Sequence, residues 1–276
     1  MEARVNALSQ ETPDRLVAGS LAVSAGLLAA GMRREGLTAR SKANVADVVT
    51  AADSAAEELV RSELARVRPR DAVLGEEGTL VEGRSGRRWV IDPVDGTYNF
   101  FSGAGPWCSA LALETPGGLA AAVFIPDSGE LFTVADGVAM RGSADDDGVD
   151  LGAELERLDA VEAGRDSLGL VSGMTYLHPS FMARDEIRRP WEAAVQELAT
   201  VRMLGSGSVE LSMVADGRAG VWFQHSVKEW DWLPGKALVE AAGGTTARVE
   251  AGGVVWSLAG RGPLVEELKG LLAGGE

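Results

Sequence analysis

Trp89-Val-Ile-Asp-Pro-Val-Asp-Gly-Thr-Tyr-Asn-Phe100 is the stretch on which the fold turns. Arg88 to Ile91 reads as a strand, with Asp92 at its end. Pro93 fixes its own φ and biases Asp92 away from helix, so the chain is extended and stiff there. Gly96 permits a sharp turn, and Thr97 opens a short helix. Two carboxylates three residues apart, held around a proline, can face one ion from a rigid frame. Oxygen ligands of this kind suit hard cations, Mg²⁺ above all. The amides of Gly96 and Thr97 at a helix start suit phosphate. Asp-Pro and Asp-Gly are also ordinary turn formers, but the full run with Gly96, Thr97 and Asn99 asks for more than a turn.

Working outward, Ala72-Val-Leu-Gly75 reads as a short strand running directly into Glu76-Glu77. A helix upstream follows the spacing Ala55, Leu59, Val60, Leu64, Val67, begins at Asp53 and ends at Pro69. Lys42 to Thr50 is read as the loop leading to it. Residues 12–36 form an earlier helix, capped by Thr12 or Asp14 and closed by Arg33-Arg34. Downstream of a Gly-rich loop at 78–88 and the central strand, Pro106–Leu113, Leu119–Ile125 and Glu130–Val134 are successive strands. Turns at Pro116-Gly-Gly118 and Asp127-Ser-Gly129 join them. Residues 1–142 thus read as α+β with an antiparallel sheet.

Gly142 to Gly164 is acidic and turn-rich, and its Asp145-Asp-Asp147 run is read as solvated connection. From 165 to 276 the pattern alternates as in α/β proteins. Strands are expected at 167–172, 201–204, 219–223 and 254–258. Helices are expected at 208–215, 231–242 (closed by Gly243-Gly244) and 263–272.

Composition bounds the function. With 276 residues, 46% hydrophobic and 24% charged, the chain can bury a sizeable core. Net charge is −15 and basic residues occur only as short pairs, so no nucleic-acid partner is expected. One cysteine, Cys108, precludes an intrachain disulfide and is read as a buried small hydrophobe. His178 and His225 are too few for a common zinc site and are read as loop or structural residues. Trp222, Trp230 and Trp232 are assigned to the core. Leu16 to Met32 carries no charge, yet its Ala, Gly and Ser content and acidic upstream flank favour a buried helix. No membrane partner is expected, and the location is expected to be cytoplasmic.

Asp92-Pro-Val-Asp-Gly-Thr-Tyr-Asn-Phe100 resembles the signature of the inositol monophosphatase family. Asp47-Val-Val-Thr-Ala-Ala-Asp53, Gly75-Glu-Glu77, and Trp230-Asp231 followed by Glu240-Ala-Ala-Gly-Gly244 resemble three further family elements, in the same order. Gly205-Ser-Gly-Ser208 sits where the family has a small-residue turn into a helix. The resemblance spans roughly residues 42 to 244. It implies one catalytic domain over 1–276, a layered αβαβα sandwich of the sugar-phosphatase type. It also implies that Glu76, Asp92, Asp95 and Asp231, with the Val94 carbonyl, hold two or three Mg²⁺ ions. Asp53 and Thr97 would orient and deprotonate water, and Glu77 would hold a further metal-bound water. Asp95, Gly96, Thr97, Gly207, Gln224 and Asp231 would contact substrate. A homodimer and lithium inhibition belong to the same implication.

The implied chemistry is hydrolysis of a small phosphorylated metabolite, with inositol 1-phosphate as the first expectation. Gln224 departs from the pattern, standing where inositol-cleaving members usually carry a Glu that touches substrate hydroxyls; glutamine can still hydrogen-bond but carries no charge. The helix after Asp231 reads Trp-Leu-Pro-Gly, with Pro234 expected in its first turn. Histidinol phosphate is therefore a competing substrate. Fructose 1,6-bisphosphate and 3′-phosphoadenosine 5′-phosphate rank below it. A Ser-His-Asp hydrolase lacks a Gly-x-Ser-x-Gly elbow. An inactive metal-binding regulatory homologue would be expected to have lost a ligand or the Asp53–Thr97 pair, and none is lost.

Overall fold

A computed structural model describes residues 8–36, 39–41, 48–144, 155–159 and 166–274. Asp47, most of the 42–50 loop and the Asp145-Asp-Asp147 run lie outside the described residues. In chain order the strands are β1 (Ala39–Ser41), β2 (Val48–Thr50), β3 (Ala72–Gly75), β4 (Leu80–Val81), β5 (Arg88–Asp95), β6 (Cys108–Thr115), β7 (Gly118–Ile125) and β8 (Glu130–Ala135). They continue as β9 (Val138–Ser143), β10 (Glu156–Arg157), β11 (Ser172–Thr175), β12 (Thr200–Arg202), β13 (Val221–His225), β14 (Thr245–Ala251) and β15 (Val254–Gly260). The helices are α1 (Asp14–Glu35), α2 (Ala51–Val67), α3 (Thr97–Ser102), α4 (Asp185–Gln196), α5 (Gly207–Ala215), α6 (Glu229–Ala241) and α7 (Gly262–Gly274).

Two large sheets carry the fold. The first runs β10-β9-β8-β7-β6-β5-β3-β4, antiparallel except where β3 lies parallel to β5. The second runs β12-β11-β13-β15-β14, with β11 parallel to both β12 and β13.

Side chains that alternate along the strands sort into separate cores, because successive residues face opposite sides of a sheet. On one face of the first sheet, Leu111, Leu113, Ala122 and Phe124 pack with Leu21, Val60 and Leu64 of α1 and α2. On its other face, Ala110, Ala121, Val123 and Phe132 pack with Val209 and Leu211 of α5 and Trp232 and Leu238 of α6. Trp222 and Ala259 of the second sheet join that same core. The far face of the second sheet buries Val221, Phe223 and Leu258 against Ile187 of α4 and Leu264 and Leu268 of α7. The order is therefore helix, sheet, helix, sheet, helix, as the sequence led one to expect.

The 22-residue α1 is long and apolar enough, by length and composition, to cross a membrane. Here Val17, Ala18, Leu21, Ala22, Val23 and Ala25 are fully buried in the protein's own core. Asp14 does not cap the helix from outside; it is its first residue and pairs with Arg68 and Arg87.

Several boundaries differ from expectation. The segment expected as a strand at 167–172 begins as a 3₁₀ turn, Leu168–Leu170, whose bonds are local (Leu170 N to Ser167 O, 3.0 Å). The strand follows at Ser172–Thr175. Helix α4 escaped the sequence reading because Pro190 lies inside it. The edge strand β14 is half-buried or exposed at every position before Ala251, so it lacks an apolar signature. The hairpin strand β9 was also absent from the reading. Helix α6 starts at Glu229, which puts Pro234 in its second turn rather than its first.

Candidate active site

The central strand β5 is irregular where the site begins. Asp92 pairs with Ala110 and Asp95 with Cys108, so β5 carries one residue more than β6 across this interval. In a regular strand, residues three apart face opposite sides. A one-residue bulge restores the parity. Pro93 sits within it, where a missing N–H costs no ladder bond. Asp92 and Asp95 thus converge, and carboxylate oxygens of Asp92, Asp95 and Asp231 all lie within 4.8 Å of one another.

Each carboxylate is fixed by its own segment. The Val94 amide donates to Asp92 Oδ1 at 3.1 Å. Asp92 Oδ2 is buried without a hydrogen-bond partner. The Ser208 amide at the start of α5 donates to Asp95 Oδ2 at 2.6 Å, so a helix N-terminus from the second half meets a carboxylate from the first. Cys108 Sγ lies 3.9 Å from the same oxygen and is buried, as its small size allows. Asp231 is the third residue of α6 and reaches back to the Lys228 backbone, in the manner of a capping box.

The charges oppose one another. Burial, then Glu76, Asp95, Asp231 and Asp53, push the Asp92 carboxyl well above the usual carboxylate range. Burial, then Asp95 and Glu76, do the same to Asp231. Burial also raises Asp95, against the pull of donors at Ser208, Ser206 and Gly207. Glu76 is pushed up to about 7 by burial and by Asp95, Glu77 and Asp53. These groups cannot all ionise together without a compensating cation. An oxygen-only donor set with one orphaned buried oxygen fits a hard divalent ion.

The turn after Asp95 is equally constrained. Gly96 adopts φ 92° and ψ 41°, a left-handed conformation. A Cβ there would sit 3.1 Å from Ser206 Cβ, so the Gly205–Ser206 backbone presses against it. Thr97 Oγ1 donates to the Val94 carbonyl at 3.2 Å. Asn99 Nδ2 donates to the Pro106 and Leu204 carbonyls at 2.8 and 2.6 Å, tying this turn to the second half.

A cleft of about 670 Å³ opens beside the carboxylates. Asp95, Gly96, Thr97, Gly207, Gln224 and Asp231 all line it, so the structure brings together the residues expected to touch substrate. Tyr98, Tyr176, His178, Pro179 and Met203 also line it, beside Asn99 and the 204–206 turn.

The architecture and the site together match known proteins. The inositol monophosphatase family matches residues 11–275. The chain belongs to the inositol monophosphatase family. It is 36% identical over 214 residues to the inositol-1-monophosphatase of Rhizobium meliloti (strain 1021), covering 75% of this chain and 74% of that one. It is 34% identical over 204 residues to the Nus factor SuhB of Xylella fastidiosa, covering 72% and 68%. The crystal structure of the extragenic suppressor protein suhB from Bartonella henselae superposes with a TM-score of 0.79 at 26% identity, covering 94% of this chain and 98% of that one. The protein is a phosphatase of this metal-dependent family.

Sequence reading missed several residues that shape the site. Glu57, buried, accepts from the amides of Glu77 and Thr79 at 2.8 and 3.0 Å. Its position four residues after Asp53 was a usable signal. Glu210 accepts from the Leu204 and Gly205 amides at 2.7 and 3.2 Å and from Trp222 Nε1 at 3.0 Å. Burial first, then Asp95, push it up to about 8 against those donors. As the one charged residue in apolar α5, it too was visible. Tyr176 and His178 share one loop and Met203 lies on another, so no local sequence signal joins them; His178 lines the cleft, beyond the loop or structural role expected of it. His225 is buried against Phe181 and Trp256, as that reading had it. Trp222 and Trp232 stack at 5.5 Å in the core, as expected.

Proposed function

We propose that this protein hydrolyses a small phosphate monoester with Mg²⁺, with inositol 1-phosphate as its substrate. The observation that carries the reading is the convergence of Asp92, Asp95 and Asp231 within 4.8 Å beside a cleft that Asp95 and Asp231 line. In this reading Glu76, Asp92, Asp95, Asp231 and the Val94 carbonyl hold the metal. When bound, Mg²⁺ neutralises the ester dianion, lowers the pKa of water and stabilises the departing oxygen. Asp53 and Thr97 would orient the attacking water, whose proton would pass to the Asp53 carboxylate, and Glu77 would hold a second water. The amides of Gly96 and Thr97 donate to phosphate oxygens. Asp95, Gly207, Gln224 and Asp231 contact the alcohol. In-line attack then depends on positioning rather than on a protein nucleophile.

A second substrate reading has its own support. Tyr98, Tyr176, His178 and Met203 give the cleft an aromatic and thioether wall, and Gln224 adds no charge. Such a wall suits a flat or cationic alcohol better than a polyol. Histidinol phosphate is that kind of substrate. Phosphate release from inositol 1-phosphate, histidinol phosphate, fructose 1,6-bisphosphate and 3′-phosphoadenosine 5′-phosphate, each with and without Mg²⁺ and Li⁺, separates the readings. The primary reading expects the highest kcat/KM on inositol 1-phosphate, dependence on Mg²⁺ and inhibition by Li⁺. A clear preference for histidinol phosphate would transfer the assignment to the second. No release from any of the four would leave the carboxylates as a metal scaffold without turnover. A homodimer is part of the primary reading and is checked by sedimentation.

A further inference from the structure

We propose that Glu57 is a positioning residue that sets the geometry of Glu76 and Glu77 for metal binding. The proposal rests on the reading of Glu76 as a metal ligand.

Helix α2 buries Ala52, Asp53, Ala56, Glu57, Val60 and Leu64, a single stripe at helical spacing. Asp53 and Glu57 are one turn apart on that stripe, so they are neighbours on the same face. A carboxylate buried among apolar side chains is costly unless its oxygens are satisfied. Glu57 spends both oxygens on one turn: Oε2 accepts from the Glu77 amide at 2.8 Å, and Oε1 from the Thr79 amide at 3.0 Å. Hydrogen bonds to a charged acceptor are shorter and stronger than neutral ones. The turn is closed from its other side by Gly75 N to Thr79 O at 2.8 Å and by Glu76 N to Ile91 O at 3.3 Å.

Gly75 shows that the fit is specific. A Cβ at this position would lie 2.5 Å from Glu57 Cδ and Oε2, so only glycine lets the carboxylate reach the turn. The Gly-Glu-Glu run therefore has a physical reason for its first residue: glycine admits Glu57, and Glu57 fixes the two acids that follow. One rigid helix thereby sets Asp53 and the Glu76–Glu77 turn relative to each other. The burial of Glu57 also exceeds that of either residue it holds in place, since Glu76 and Glu77 are only half-buried. A half-buried turn without such a brace would sample other conformations, and metal affinity depends on ligands being held ready.

The test uses the full chain with Glu57→Ala, Glu57→Gln and, as a stability control, Asp14→Asn, which breaks the ion pairs to Arg68 and Arg87. Mg²⁺ affinity is read by calorimetry and by the rise in Tm on adding Mg²⁺. Phosphate release against Mg²⁺ concentration is read in parallel. Glu57→Ala should weaken Mg²⁺ binding by roughly 10–100-fold, the range typical of lost outer partners of metal ligands. Substrate KM at saturating Mg²⁺ should stay near the wild-type value. Glu57→Gln keeps one carbonyl acceptor, folds more readily and should fall between Ala and wild type. Asp14→Asn should lower Tm without moving Mg²⁺ affinity. Wild-type Mg²⁺ affinity in both Glu57 variants would overturn the proposal, as would a loss matched by Asp14→Asn. Absence of phosphate release by the wild-type chain would count against the catalytic reading instead, while the calorimetry would still decide the role of Glu57.

Discussion

The two sides of the cleft are built differently. The carboxylate side comes from β5, the turn after β3 and the starts of α2 and α6, all anchored in the layered core. Its groups are fixed by short backbone contacts, such as Ser208 N to Asp95 Oδ2 at 2.6 Å. The opposite wall comes from loops around 176–179 and 203–207 and from Gln224 at the end of β13. On this wall Met203 stands open to solvent, at 40% exposure. Rigid elements can hold a charge constellation at a fixed spacing, whereas loops can change without disturbing it. The proposed function thus puts the metal chemistry on the rigid side and the choice of alcohol on the loop side.

The sharpest way to break this division is Asp95→Asn. It removes a charge facing Asp92 and Asp231 and should lower kcat/KM by roughly 10²–10³-fold, since one well-placed charged group is worth that much. A rate within a factor of two of wild type, at saturating Mg²⁺, would place the chemistry elsewhere.

Next in size is the pH dependence of stability set by Glu210. Its carboxyl is pushed up to about 8 in the folded chain, from an unfolded value near 4.5. The folded state then holds more protons between these values, so stability should fall as pH rises from about 4.5 to 8. The loss from this group is on the order of 2–4 kcal/mol. Glu210→Gln should flatten that slope in denaturant titrations, and an unchanged slope would mean that Glu210 ionises freely.

A smaller effect sharpens the contrast between function and stability. Asp92→Asn relieves the repulsion felt by a fully buried carboxylate. In EDTA its Tm should rise, by an amount corresponding to roughly 1–2 kcal/mol, while Mg²⁺-dependent activity drops. A lower Tm without metal would show that Asp92 is held by contacts stronger than the repulsion.

The smallest change is expected on the loop side. Gln224→Glu should shift the ratio of kcat/KM between inositol 1-phosphate and histidinol phosphate by several-fold, about 1 kcal/mol, with Mg²⁺ dependence unchanged. The reverse pattern would show that Gln224 belongs with the metal group.

This division also explains what could be read from the sequence. Asp92, Pro93, Asp95 and Gly96 are contiguous, so their strand-end geometry followed from local rules. Asp53, Glu76 and Asp231 were located only through the resemblance of their segments to family elements. The layered order came with the family resemblance, since β6 and β7 are apolar on both faces and show no polar–apolar alternation of their own. Proline inside α4, weak alternation in β14 and local hydrogen bonds at Leu168–Leu170 hid the rest of the second half. The parity-restoring bulge between Asp92 and Asp95 was not legible, because it depends on the register with β6. Tyr176, His178 and Met203 meet only after the chain folds, so nothing local announced them.

The central claim is that the Asp92–Asp95–Asp231 cluster is a Mg²⁺ site for phosphate-ester hydrolysis. Phosphate release from inositol 1-phosphate by the wild-type chain, followed as Mg²⁺ is stripped with EDTA and then restored, tests it most directly. The expected result is complete loss in EDTA and saturable recovery with Mg²⁺. Undiminished release in EDTA would contradict it.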